Sequence, residues 1–344
     1  RLIDSDFSYL SSLKDDDGYE YSQSLKRVRE IDAVVDAFQK RSVPNFRWNE
    51  NYQKAKLQLE KMFSSKHLKS LTYNSDSDVI SYLPKTDTHS GFEYILTGLK
   101  KKGEYAKGIL QAYNAEEKFA LEHGSFEKLI LPGTRTQGSG AFDELTGERT
   151  YHCKHKTRMI NMVDLYVILA ELKYAKPIQE LFVSNDWYAG GKDPSVITRQ
   201  FSHWRRTYNY YLSIDYSGYD QTIPDWLIED AFDIMFKAFD EEDVLCDVIV
   251  NDFIHKDLLF DGNIYHLDKG VPSGSMFTQI VDTVCNWLII LTYAYSINEP
   301  DIDMMVMGDD NIIFTRRLWN VRSLSEYVSK NFGMIIGSKS DDVA

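Results

Sequence analysis

The second half of the sequence predicts an α+β domain, an antiparallel sheet with helices on one face, and three stretches carry that expectation. "YNYYLSIDYSGYD" (208–220) alternates with period two. Tyr208, Tyr210, Leu212 and Ile214 fall on one side, and Asn209, Tyr211, Ser213 and Asp215 on the other. "VPSGSMFTQIVDTVCNWLII" (271–290) is a Gly-containing loop running into a long helix. "MVMGDDNIIF" (305–314) is strand, tight turn, strand, and Gly308-Asp309 is good hairpin chemistry.

The remaining elements follow in chain order. The first 130 residues predict mostly helix: "SLKRVREIDAVVDAFQKR" (24–41) and "NYQKAKLQLEKMF" (51–63) space their apolar residues by three and four. "LPGTRTQGSGAFDELTGERT" (131–150), rich in Gly, Thr and Ser, reads as a loop. "MVDLYVILAELKYA" (162–175) reads as a buried helix. "NDWYAGGKDPS" (185–195) is not a phosphate loop: the first Gly is missing, and Asp193 stands where Ser or Thr should follow the Lys. In "PDWLIEDAFDIMFKAFD" (224–240), Ile228, Phe232, Met235 and Phe239 form a helical stripe behind Pro224. A last helix is expected at 322–331.

With 344 residues, 43% hydrophobic and 13% aromatic, the chain can bury a sizeable core. Cys153, Cys246 and Cys285 are odd in number and far apart, which argues for a reducing compartment over a disulfide framework. "HCKH" around Cys153 lacks the second ligand pair a zinc site needs. The most apolar run, Trp287 to Ile297, is broken upstream by Asp282 and Asn286, so no membrane span is expected. The chain starts at Arg1 with neither Met nor a signal-peptide core, so either its N-terminus was removed or it is a fragment. A net charge of −13 speaks against indiscriminate nucleic-acid binding but leaves room for a local basic groove. Arg149, Lys154, Lys156 and Arg158 in "RTYHCKHKTR" would supply one, with Arg199, Arg205 and Arg206 as a second basic region.

Asp309 and Asp310 are adjacent like charges at a turn. A plain hairpin is one explanation. Ligation of a divalent cation is the other, and it demands a further carboxylate. Asp215 closes the period-two strand on its polar side. If that strand pairs beside the hairpin, Asp215 and Asp309 meet at adjacent strand ends. Two Mg²⁺ ions about 3.5–4 Å apart would then clamp the attacking and leaving oxygens of a phosphoryl transfer.

"DYSGYD" (215–220), "PSGSMFTQIVD" (272–282) and "MGDDN" (307–311) resemble, in order and spacing, motifs A, B and C of viral RNA-dependent RNA polymerases. "KTRMI" (156–160) is similar to the basic finger motif F, and "FGMIIGSKS" (332–340) to motif D. The wording of "GVPSGSMFTQIVD" most resembles the bisegmented double-stranded RNA viruses, the picobirnavirus and partitivirus group. The resemblance implies a right-hand polymerase fold with an antiparallel-sheet palm and largely helical fingers. Residues 1–206 would be the N-terminal region and fingers, with the basic motif near 149–160, and 207–344 the palm, with a fingers insertion at about 240–266. Because the sequence stops at "SKSDDVA", directly after motif D, the motif E hairpin and the thumb are expected to be absent.

The implied activity is template-directed RNA synthesis from nucleoside triphosphates with two Mg²⁺ ions, or Mn²⁺ in their place. RNA template and product are the implied partners, with a viral capsid protein as a further one, in the virion interior and the host-cell cytoplasm. Asp215 and Asp309 would be the main metal ligands and Asp310 a secondary one. Lys156 and Arg158 would face the triphosphate, and Lys339 would be general acid toward pyrophosphate. Ser273, Thr278 and Gly274 would line the template–nucleotide pair, and Arg135 would serve a template-channel loop. Asp220 would sense the ribose 2′-OH together with the residue at 282.

That residue is a departure: Asp282 stands where many relatives have Asn. Two ionised carboxylates in contact repel. Either one carries a proton, a cation or basic group bridges them, or they stay apart until a ribose hydroxyl bridges them. A reverse transcriptase is a rival reading, but Met307-Gly308 precedes the acid pair in place of an aromatic pattern. A two-metal nuclease or phosphatase would not need "KHKTR", and a structural RNA-binding protein would not need the acids.

Overall fold

The computed structural model describes residues 45–64, 66–142, 149–241 and 243–337, with the side chains of 134–157 outside that description. Asn49 accepts hydrogen bonds from the N–H groups of Asn51 and Tyr52 and so starts α1 (Glu50–Phe63), which buries Tyr52, Ala55, Leu59 and Phe63. These are the three- and four-residue steps expected there. Then come α2 (Asp76–Tyr82), α3 (Glu93–Thr97), a 3₁₀ turn (Lys102–Tyr105) and α4 (Ile109–His123).

The Gly/Thr/Ser stretch expected to be a loop is instead extended. Leu131–Phe142 is β1, antiparallel to β2 (Arg149–Met162), with Leu131 opposite Met162 and Arg135 opposite Arg158. The register shifts between Ser139 and Ala141. Nothing in this stretch alternates in hydrophobicity, so the period-two signal of a half-buried strand is absent. The cross-strand ladder supplies the order.

Next are α5 (Leu165–Ser184), α6 (Pro194–Thr207), β3 (Tyr210–Leu212), α7 (Tyr219–Thr222), α8 (Asp225–Phe236) and α9 (Val244–Ile254). A hairpin of β4 (Lys256–Phe260) and β5 (Asn263–Leu267) precedes α10 (Thr278–Ser296). The strands β6 (Asp303–Met307) and β7 (Asp310–Thr315) lead to α11 (Val321–Phe332). The strand expected to reach Asp215 ends at Leu212, because the Asn311 side chain takes over the pairing. Its Oδ1 accepts from Ile214 N at 3.2 Å and its Nδ2 donates to Ile214 O at 3.3 Å.

The sheet order is β3–β7–β6, all antiparallel. The outer edge of β6 is taken by 187–189: Val306 N donates to Trp187 O (2.9 Å) and Ala189 N to Val306 O (3.0 Å). Behind the sheet lies α10, buried continuously from Ile280 to Ala294 and packed on α1, α8, α11 and β6. Buried Asp230 joins α1 to α8, accepting from Arg47 Nε (3.1 Å), Tyr52 OH (2.7 Å) and Lys56 Nζ (2.6 Å).

Helices were expected on one face only. The structure covers both. Met304, Val306 and Ile313 join the main core, while Met305 and Phe314 pack on the opposite side against Trp204 and Phe201 of α6. Apolar residues at consecutive positions of β6 and β7 demand this, since neighbours along a strand point to opposite faces.

Candidate active site

The β6–β7 connection is a two-residue turn, Gly308-Asp309, closed by the Met307–Asp310 pair. Gly308 has φ +67°, at the first central position as a type II′ turn requires. It is also crowded: a Cβ there would lie 2.5 Å from Gln279 Nε2. α10 holds the turn from below. Thr283 Oγ1 accepts from Gly308 N (2.9 Å), and Asn286 Nδ2 donates to Gly308 O (2.9 Å) and Asp309 O (3.1 Å). With the turn's backbone satisfied by α10, its two carboxylates can serve something else. Asp309 is half-buried and Asp310 exposed.

Asp215 lies one residue beyond the Asn311 clamp and is exposed. Its carbonyl accepts from Gly337 N at 2.6 Å, and Ser217 N donates to Ile335 O at 2.9 Å. The segment after α11 is thereby zipped alongside 215–217. The acids sense one another: burial, then Asp310 and Asp215, raises the Asp309 carboxyl above its ordinary value, while Arg158 of β2 pulls it back. Asp215, Asp309, Asp310 and Arg158, far apart in sequence, therefore share one electrostatic neighbourhood.

Asp220 and Asp282 belong to it as well. Burial, then the Asp309 charge, pushes Asp220 up to about 6, against Arg158. Asp282 is only 5% exposed, and its Oδ1 has no hydrogen-bond partner. Burial first, then Asp220 and Asp309, pushes it well above its ordinary value, which favours its protonated form. Of the three arrangements open to this pair, the protonated acid is the one the surroundings favour. Tyr219 OH donates to the Asp282 carbonyl (2.9 Å) and Tyr216 OH to Asn286 Oδ1 (3.3 Å), locking this face of α10 against 215–220.

Ser273 and Gly274 form the apex of the loop before α10. Ser273 Oγ accepts from Asn161 N at 3.0 Å, and a Cβ on Gly274 would stand 1.8 Å from Asn161 O. Only glycine allows that approach. Asn161 lies three residues beyond Arg158 on β2, so loop and arginine share one strand. Thr278, expected at the nucleotide, has its hydroxyl engaged within the loop, against Pro272 O (2.7 Å) and Ser275 O (2.9 Å).

Arg135 and Lys156 lie on the β1–β2 ladder, but their side chains, like that of Cys153, fall outside the described residues. So does Lys339. Among the described residues no three His, Cys, Asp or Glu side chains cluster closely enough to form a metal cage. The donor set still fits Mg²⁺. That ion takes hard oxygens and is held by one or two carboxylates plus substrate phosphates and water, and mutual repulsion at Asp309 is what a cation would relieve. The sequence alone assigns Asn311 and Thr283 no role and shows Asn286 only as an interruption of the apolar run. The adjacency of Asn311 to the acid pair was the one available signal. Among the described residues no helix is long and apolar enough to cross a membrane.

The family profile described as viral RNA-dependent RNA polymerase matches residues 12–343. The chain is 30% identical over 174 residues to the RNA-directed RNA polymerase of Cryptosporidium parvum virus 1 (strain KSU-1), covering 46% of this chain and 32% of that protein. It is 28% identical over 200 residues to the genome polyprotein of Ljunganvirus 1, covering 53% of this chain and 8% of the polyprotein. With the RNA-directed RNA polymerase of Atkinsonella hypoxylon virus (isolate 2H) the identity is 35% over 103 residues, 25% of this chain and 15% of the other. The matched part thus spans about a third or less of these curated relatives.

Proposed function

The chain belongs to the viral RNA-dependent RNA polymerase family, and from that premise we propose that it performs template-directed RNA synthesis by two-metal nucleotidyl transfer from nucleoside triphosphates. The observation that carries this reading is the shared field at the β6–β7 turn, where Asp310 and Asp215 raise Asp309 and Arg158 opposes them. Acids that repel and a guanidinium close by are what a site for metal-bound triphosphate requires.

Asp215 and Asp309 would hold the cations, with Asp310 as a secondary ligand. When bound, Mg²⁺ (or Mn²⁺) would supply Lewis-acid stabilisation of the charge that develops during the transfer. Arg158 and Lys156 bind the triphosphate, the planar guanidinium pairing two phosphate oxygens at once. Lys339 delivers a proton to the departing pyrophosphate. Ser273 and Gly274 lie against the nascent base pair, Thr278 fixes the loop that carries them, and Arg135 contacts template on the β1–β2 ribbon. Asp220 accepts from the ribose 2′-OH while protonated Asp282 donates beside it.

In this reading residues 1–206 are the N-terminal region and fingers, and 207–344 the palm with a fingers insertion at about 240–266. The partners are RNA template, RNA product and a viral capsid protein, in the virion interior and host cytoplasm. The parent virus belongs with the bisegmented double-stranded RNA viruses. The test is nucleotide incorporation on a primed RNA template with Mg²⁺. Asp215→Asn and Asp309→Asn should each abolish it while the far-ultraviolet circular dichroism stays that of the parent, because a neutral amide cannot balance a dication. Robust incorporation by either variant would sink the assignment.

A further inference from the structure

A carboxylate inside an apolar helix is costly unless donors meet it. Glu171 is such a residue, 2% exposed in the middle of α5. Both of its oxygens are engaged by the loop before α10: Ser275 Oγ donates to Oε1 at 2.7 Å and Met276 N to Oε2 at 2.8 Å. Ser275 Oγ in turn accepts from Phe277 N at 3.0 Å, and Gln179, two turns further along α5, donates to Met276 O at 2.9 Å.

The same loop is held at two other points. At its start, buried Lys256 of β4 donates to the carbonyls of Lys269 (2.9 Å) and Gly270 (2.8 Å). At its apex, Ser273 and Gly274 rest on Asn161. A cavity of about 320 Å³, bordered by Glu171, Lys256 and Pro272, lies beside its start. The loop is therefore held at three anchors, and its exit hangs on Glu171. Burial pushes this carboxyl up to about 7, while Met276 N–H, Ser275 and then Lys102 favour its ionised form and Asp252 opposes it.

We propose that Glu171 is a positioning residue for nucleotide addition. Acting through Ser275 and the Met276 N–H, it fixes the 273–277 loop so that Ser273 and Gly274 are presented to the template–nucleotide pair. The kinetic part rests on the polymerase reading above; the structural part does not. A glutamine at 171 offers one acceptor oxygen where two donors converge, and sets its own NH₂ against the other donor.

The experiment compares the full chain with its Glu171→Gln, Glu171→Asp and Ser275→Ala variants by amide hydrogen exchange and by steady-state incorporation. Loss of a charged hydrogen bond should speed exchange at Met276 and Phe277 by about tenfold or more in Glu171→Gln, with β7 amides unchanged. The KM for nucleoside triphosphate should rise about tenfold while kcat changes far less, since ground-state placement is what suffers. Glu171→Asp, which keeps both acceptor oxygens, should recover part of each effect. Unchanged exchange in folded Glu171→Gln overturns the clamp, and a loosened loop with unchanged KM overturns the positioning role. If Glu171→Gln does not fold, Ser275→Ala decides by the same two readouts. If the parent incorporates no nucleotide, the polymerase reading fails and exchange alone judges the clamp.

Discussion

Replacing Gly274 by alanine adds one methyl group at the tightest contact around the site. The new Cβ would stand 1.8 Å from the Asn161 carbonyl oxygen, where ordinary contact begins at 3.4 Å, so the two backbones must part by about 1.6 Å. Asn161 is poorly placed to yield: it pairs with Pro132 in the β1–β2 ladder, and its N–H is held by Ser273 Oγ. The loop must therefore move. A displacement of about 1 Å in a reacting geometry can cost on the order of 10²-fold in rate, whereas one extra buried methyl costs roughly 1–3 kcal/mol of stability. Gly274→Ala should thus lower kcat/KM for single-nucleotide incorporation on a primed RNA template by about 10²-fold, in a protein that still unfolds cooperatively. Ser273→Ala, which deletes one hydrogen bond and adds no bulk, should be far milder. A folded Gly274→Ala variant within fivefold of the parent would refute the argument that this approach sets the geometry.

Arg158→Ala should raise the KM for nucleoside triphosphate with a smaller change in kcat; steady-state kinetics with an unchanged nucleotide dependence would remove Arg158 from the triphosphate. Asp220→Ala should lose discrimination between ribo- and deoxyribonucleotides while Asp282→Asn keeps polymerising, because an amide can donate as a protonated acid does; the ratio of the two incorporation efficiencies reports on both. Burial, opposed by the Tyr166 N–H and Lys128, raises Asp164 from 3.8 to about 7. The folded state then keeps a proton that the unfolded chain sheds, so the Asp164 contribution to stability falls as pH rises from 3.8 to about 7 and stays lost above. Melting temperatures across that window should fall less steeply with pH in Asp164→Asn than in the parent, and parallel curves would show that Asp164 does not titrate there.

What could be read from the sequence was whatever repeats locally. The Gly308-Asp309 turn announces itself by residue type, and α10 by a long apolar run behind a Gly-containing loop. The doublet Met304-Met305 already held the information that both faces of the sheet are covered, but a one-faced sheet was the simpler inference from strand order. The β1–β2 ladder was hidden because glycine and threonine read as loop when no apolar face accompanies them. Glu171 was overlooked inside "MVDLYVILAELKYA", where a lone acid looks like a solvated position. Its partners sit at 275 and 276, about a hundred residues away. Asn311 and Asn286 take their roles from backbone groups that only the tertiary structure delivers.

The strand order β3–β7–β6 bears on how the site comes into being. β7, at the centre, is the last of the three to leave the ribosome. β6 and β7 form a local hairpin, but Leu212 of β3 finds its partner only at Ile313. Closing so long a loop costs entropy before any contact repays it and slows folding. During synthesis, the juxtaposition of Asp215 with Asp309 therefore waits on β7. A chain stalled short of that strand lacks the sheet that brings 215 beside the 308–309 turn, so this acidic neighbourhood assembles only when the β3–β7 pairing closes.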